Sequence, residues 1–138
     1  MMNKRPIAFS IIIAVAVLVA AIIMILTRQF GGDSGFDIDS AEFEKLMKEP
    51  DAVILDVRTA SEFNNERIQG AVLLDINSPA FKDQIKRFRK DKIYLVYCRS
   101  GNRSARACEI MSEFGFERCY NLKYGIIGWK NSNKPVVN

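Results

Sequence analysis

The sequence predicts an α/β domain built on an open, mainly parallel five-stranded sheet flanked by helices, with one transmembrane helix before it. Three observations predict it. Short apolar runs alternate with stretches of helical period, the order that yields parallel strands joined by crossover helices. One of these runs, Ile93 to Tyr97, shows no polar alternation, as expected of a strand covered on both faces. From Ile7 to Leu26, twenty residues carry no charge. At the helical rise they reach about 30 Å, the depth of a bilayer's hydrocarbon core.

The 138 residues suffice for one domain of ordinary size and not for two. Three cysteines and no histidine remove zinc fingers, His-assisted hydrolysis and most transition-metal sites, so no metal is expected. The formal charge of +4 is uneven along the chain. Residues 1–32 hold Lys4, Arg5 and Arg28 with no acid, and setting those three aside leaves 17 basic against 16 acidic residues. A near-neutral domain gives no electrostatic case for nucleic acid.

Residues 1–30 are expected to be the membrane anchor, with residues 7–26 in the bilayer. A cleaved signal peptide competes, but its apolar region is usually shorter, and no small-x-small site follows Leu26. Lys4 and Arg5 precede the run and only Arg28 follows closely. The positive-inside rule therefore puts the amino terminus in the cytoplasm and the domain on the outer, periplasmic or extracellular, face. Residues 31–35 read as a flexible linker and 36–135 as the domain.

Phe36 to Ile38 is a first strand, and Asp39-x-x-Glu42 opens a helix with Phe43, Leu46 and Met47 on one face. Ala52 to Val57 is the second strand, delivering Asp56 and Arg58 at its carboxyl end. Thr59 to Glu62 is a capping box, Ala71 to Ile76 a third strand, and Ser78-Pro79 a helix start with Phe81, Ile85 and Phe88 on its apolar side. Lys86, Arg87, Arg89, Lys90 and Lys92 then read as a solvated helix end or as a contact for anionic lipid or an acidic partner. After the fourth strand, Ser104 to Phe114 is a helix stopped by Gly115, Arg118 to Leu122 a fifth strand, and Gly125 to Trp129 a short apolar segment.

Cys98 stands at the carboxyl end of the fourth strand, where open α/β sheets bind ligands. Arg99, Ser100, Gly101, Asn102, Arg103 and Ser104 follow it. A tight loop whose amides converge, backed by a helix start and two guanidinium groups, makes an anion-binding concavity and favours a thiolate. A strand-end cysteine alone is more often structural; the combination favours a nucleophile. Cys108 and Cys119 lack this setting and read as small core residues, a disulfide between them being left open.

Leu55-Asp-Val-Arg58 with Glu62-Phe63, Ile68-Gln-Gly-Ala71, Val96 to Ala105, Gly115-Phe116, Tyr120-Asn-Leu122 and Gly125-Ile-Ile-Gly-Trp129 together resemble a single-domain rhodanese. The resemblance implies that fold and a sulfurtransferase mechanism. The Cys98 thiolate would take sulfane sulfur from an anionic donor such as thiosulfate as a persulfide and pass it to a thiol or cyanide-like acceptor, without metal or organic cofactor. Loop amides from Arg99 to Ser104 would cradle the outer sulfur, and Arg99 would face the donor, with Arg103 a second candidate. By the same resemblance Asp56 and Arg58 sit beside the loop, Arg58 divided between pairing with Glu62 and touching substrate. Three positions depart from the family pattern: Glu66-Arg67 for a usual Gly-His, Tyr124 for a glycine, and Gly128 for an alanine or serine. The first suggests a changed loop and the second a narrower entrance.

Two rivals stand beside this. A cysteine phosphatase or arsenate reductase would need arginine where Ser104 stands. The other is a module that carries a persulfide without turnover, senses oxidant or docks a partner at the membrane.

Overall fold

The computed structural model describes residues 13, 15–20 and 35–138. The chain divides into two units, Met1–Asp33 and Ser34–Asn138. In the first, Ile13 and residues 15–20 are helical and exposed. Most of the expected membrane helix lies outside the described residues, and among those described no helix is long and apolar enough to cross a membrane.

The second unit runs β1 (Asp37–Ile38), α1 (Ser40–Leu46), β2 (Ala52–Asp56), α2 (Ala60–Asn65), β3 (Val72–Leu73), α3 (Phe81–Ile85), β4 (Ile93–Tyr97), α4 (Asn102–Glu113), β5 (Cys119–Leu122) and α5 (Gly125–Asn131). The five strands lie in the order β1-β5-β4-β2-β3, all pairs parallel. β4 is therefore central, and all five of its residues are buried. Alternation along it separates two cores. Tyr94 and Val96 join Phe81, Ile85, Ala107 and Met111 on the α3/α4 side, and Cys98 continues that face. Ile93, Leu95 and Tyr97 pack with Phe43, Ile126 and Trp129 on the α1/α5 side.

Local chemistry explains the element starts. Asp39 Oδ1 accepts from the amides of Ala41 and Glu42, both at 2.9 Å, and Thr59 and Glu62 close a complete capping box at α2. Two expectations need correction. β3 is two residues long rather than six: after Leu74 N–H bonds the Asp56 carbonyl at 2.8 Å, Asp75 accepts from the Asn77 amide and turns the chain. Ser78 likewise accepts from the Ala80 amide in a turn, so α3 begins at Phe81, not at Pro79. The terminal apolar segment is the helix α5.

Candidate active site

β2 and β4 are neighbours, yet the chain leaves β2 for β3 on one side and β4 for β5 on the other. The carboxyl ends of these two strands thus form the topological switch point of the sheet, where crevices open. Asp56 and Arg58 come from one strand end and Cys98 from the other.

α4 begins at Asn102, two residues earlier than its periodicity suggests, because Gly101 and not Ser104 is its cap. Gly101 has φ 100, the left-handed region. A Cβ there would stand 2.0 Å from the Lys123 carbonyl oxygen, so only glycine lets the loop cross the β5–α5 connection. The crossing is doubled: a Cβ on Gly125, φ 58, would lie 2.4 Å from the Arg99 carbonyl. The Ile126 amide bonds the Cys98 carbonyl at 2.9 Å. Asn121 completes the clamp by donating to Asp37 at 2.7 Å and to the Gly101 carbonyl at 3.1 Å, while its own buried Oδ1 accepts from no protein group.

This clamp aims donors at one sulfur. Cys98 Sγ accepts from the Gly101 amide at 3.1 Å and from the Ser104 hydroxyl at 3.3 Å. Burial pushes the thiol up, but the Ser104 hydroxyl and the amides of Ser104, Ser100 and Gly101 outweigh it and hold Cys98 below its ordinary value. Three loop amides and a hydroxyl thus converge on the Cys98 sulfur itself. Cys98 itself is 1% exposed, at the floor of a rim whose Arg99, Ser100 and Asn102 are exposed.

The charged neighbours sort differently from the expectation. Arg58 does not pair with Glu62. It turns inward onto Asp56, with Nε 2.9 Å from Oδ1 and Nη2 2.6 Å from Oδ2, and Nη2 also bonds the Glu66 carbonyl at 2.6 Å. Both members of that pair are buried, and the guanidinium stacks 5.5 Å from the Tyr97 ring centroid. Arg103 takes Glu62 instead, in a bidentate pair at 2.9 and 2.7 Å. That pair, helped by Thr59, carries the Glu62 carboxyl down to about 2. The Cys98 sulfur is among the groups that raise Arg103, so the pair stands within the field of the thiolate. Arg99 is exposed and lines, with Arg58, Glu62, Glu66, Ile127 and Lys130, a cleft of about 340 Å³.

Sequence reasoning missed the Glu62–Arg103 pair because it offered Glu62 to the nearer Arg58, and it gave Asn121 no role of its own although Tyr120-Asn-Leu122 is among the motifs that carry the resemblance. The three departures now have structural roles. Glu66 is extended, Arg67 bridges Val137, and Glu66 Oε1 holds Lys130 at 2.5 Å, so this loop is tied to the carboxyl-terminal tail and α5. Tyr124 is 63% exposed beside Ser100 and Ile127. At Gly128 a Cβ would stand 2.4 Å from Tyr124 Cβ.

A buried thiol with a lowered pKa, facing convergent donors, can act as a nucleophile toward a small electrophile whose product leaves an anionic sulfur in the same place. The chain is similar to known proteins in sequence and fold. The model of the Rhodanese-like domain family matches residues 39–132. A sulfurtransferase from Allochromatium vinosum is 32% identical over 102 residues, covering 73% of this chain and 94% of that one. A tRNA uridine(34) hydroxylase from Cytophaga hutchinsonii is 36% identical over 97 residues, 68% of this chain but only 31% of that protein. Among solved structures, a rhodanese-related protein from Thermoplasma volcanium superposes with a TM-score of 0.66 at 31% identity, covering 73% of this chain and 96% of that one.

Proposed function

The chain belongs to the rhodanese-like domain family, and from that premise we propose that it is a sulfurtransferase working through a persulfide on Cys98. The Cys98 thiolate attacks the outer sulfur of a donor such as thiosulfate; the sulfur–sulfur bond of the donor breaks, and sulfite leaves with the negative charge. The charge on the new outer sulfur then falls to the loop. A thiolate or cyanide attacks that sulfur, the Cys98 sulfur takes back its electron pair, and the acceptor leaves as a persulfide or thiocyanate. Charge is conserved at each step, and no metal or redox cofactor enters.

The observation that carries this reading is the set of donors on one sulfur: Gly101 amide, Ser104 hydroxyl and the neighbouring amides. They stabilise the thiolate both before loading and after discharge, so the same groups serve both half-reactions. Burial of Cys98 fits a small donor, and a persulfide extends the side chain by about 2 Å toward the rim, where an acceptor can meet it. Arg99, exposed at the cleft, is the cation offered to an anionic donor. Arg58, held by Asp56, lines the same cleft. The length of the uncharged run Ile7 to Leu26 supports a bilayer tether, and Lys4 and Arg5 before it against Arg28 behind it support a domain on the outer face.

Purified protein is expected to turn over thiosulfate and cyanide to thiocyanate, and Cys98→Ser to abolish both turnover and the 32 Da persulfide adduct seen by intact-mass measurement, about the mass of one sulfur. Loading without repeated turnover would favour the carrier. Turnover by Cys98→Ser would end the assignment.

A further inference from the structure

The Glu62–Arg103 pair has an opening on each side of it. The cleft on the Arg99 side mixes signs, with Arg58, Arg99 and Lys130 against Glu62 and Glu66. On the other side a cavity of about 370 Å³ lies between the β3–α3 connection and α4. Lys82, Arg103 and Arg106 line it together with Asn77, Ser78 and apolar Ile76, Phe81 and Ile110, and no carboxylate does. Arg103 is occupied by Glu62. Lys82 and Arg106 make no ion pair among the described residues, and both are exposed. Two unneutralised cations facing one cavity with an apolar wall form a seat for a small organic anion.

Arg103 links the cavity to the chemistry: it lines the cavity, and the Cys98 sulfur is among the groups that act on its guanidinium. Arg103 precedes Ser104, whose hydroxyl touches the Cys98 sulfur at 3.3 Å. We propose, on the reading of Cys98 as the sulfur-carrying thiol, that this cavity seats the acceptor, a small thiol bearing two carboxylates, with Lys82 and Arg106 holding the carboxylates. The donor enters over Arg99, and the acceptor enters from the opposite side. The acceptor thiol loses its proton to solvent and its sulfur attacks the outer sulfur of the Cys98 persulfide. The bond to Cys98 breaks, its electron pair returns to the Cys98 sulfur, and the acceptor leaves as an organic persulfide anion.

The test follows discharge of persulfide-loaded full-length protein by mercaptosuccinate, a dicarboxylate, and by 2-mercaptoethanol, a neutral thiol. Comparing the ratio of the two rates between variant and unaltered protein cancels intrinsic differences between the thiols. Replacing both Lys82 and Arg106 by alanine is expected to lower that ratio about tenfold, as is raising the ionic strength in the unaltered protein to a smaller extent. Arg106→Lys with Lys82 retained should restore most of it, which a mere packing role would not. A ratio unchanged in the double variant, or a fall shared equally by both thiols, overturns the acceptor seat. If Cys98 loads and discharges to cyanide while the ratio holds, only this inference falls; if Cys98 never loads, the sulfurtransferase reading falls with it.

Discussion

Cys98 and Cys108 face the same core, and both are sealed from solvent, at 1% and 0% exposure. Their chemistry is opposite. Cys108 lies in mid-helix, with burial and the Cys119 sulfur 2.7 Å away both pushing its thiol up. Cys98 lies one residue past a strand, where the chain has free amides to offer, and its thiol is pushed down. The difference teaches that depth does not decide whether a cysteine reacts. What decides is whether the backbone around it has hydrogen-bond donors left over: a helix interior has spent its amides on carbonyls, while a strand-to-helix turn has not.

The largest way to break this contrast is Gly101→Ala. Its Cβ would meet the Lys123 carbonyl in a left-handed backbone, so the loop must leave the clamp or the domain must lose stability. A loss of more than about 3 kcal/mol is expected by denaturant titration, with Cys98 reactivity falling while the Cys108 region keeps its inertness until unfolding. Ser104→Ala is gentler. It removes the hydroxyl that most lowers the Cys98 thiol, so the pKa rises. Because the thiolate is the reactive form, alkylation at neutral pH should slow about three- to tenfold and recover in alkali, with the inflection of rate against pH moved upward. An unmoved inflection would detach Ser104 from the sulfur. The smallest effect on activity belongs to Cys119→Ala. It leaves a small void beside Cys108 and Met111 and should cost about 1–2 kcal/mol of stability while persulfide loading stays as it was.

Much of this was legible before any coordinates. The unbroken apolar run marked β4 as central, and the Thr59–Glu62 spacing marked a capping box that the structure forms in full. Strand end, glycine and following helix were enough to single out Cys98. The pairings of the charged residues were not legible. Arg58 lies closer in sequence to Glu62 than Arg103 does, yet Glu62 is taken by Arg103, 41 residues away. Periodicity reports which face a side chain occupies, and it is silent about which distant loop arrives there. The start of α4 escaped for a related reason: Ser104 has the composition of a cap, but its hydroxyl is used on the Gly101 carbonyl and the Cys98 sulfur. The run on which the expected anchor and its orientation were read lies mostly outside the described residues.

Tyr124 and Gly128 were noted as separate departures from the family's usual residues, yet the 2.4 Å approach makes them one. Any side chain at 124 occupies the room that a methyl group at 128 would need. A residue with a Cβ at 128 is therefore excluded while any residue with a Cβ stands at 124. The first carbon of the Tyr124 side chain, rather than its ring, thus holds the position one helical turn away to glycine.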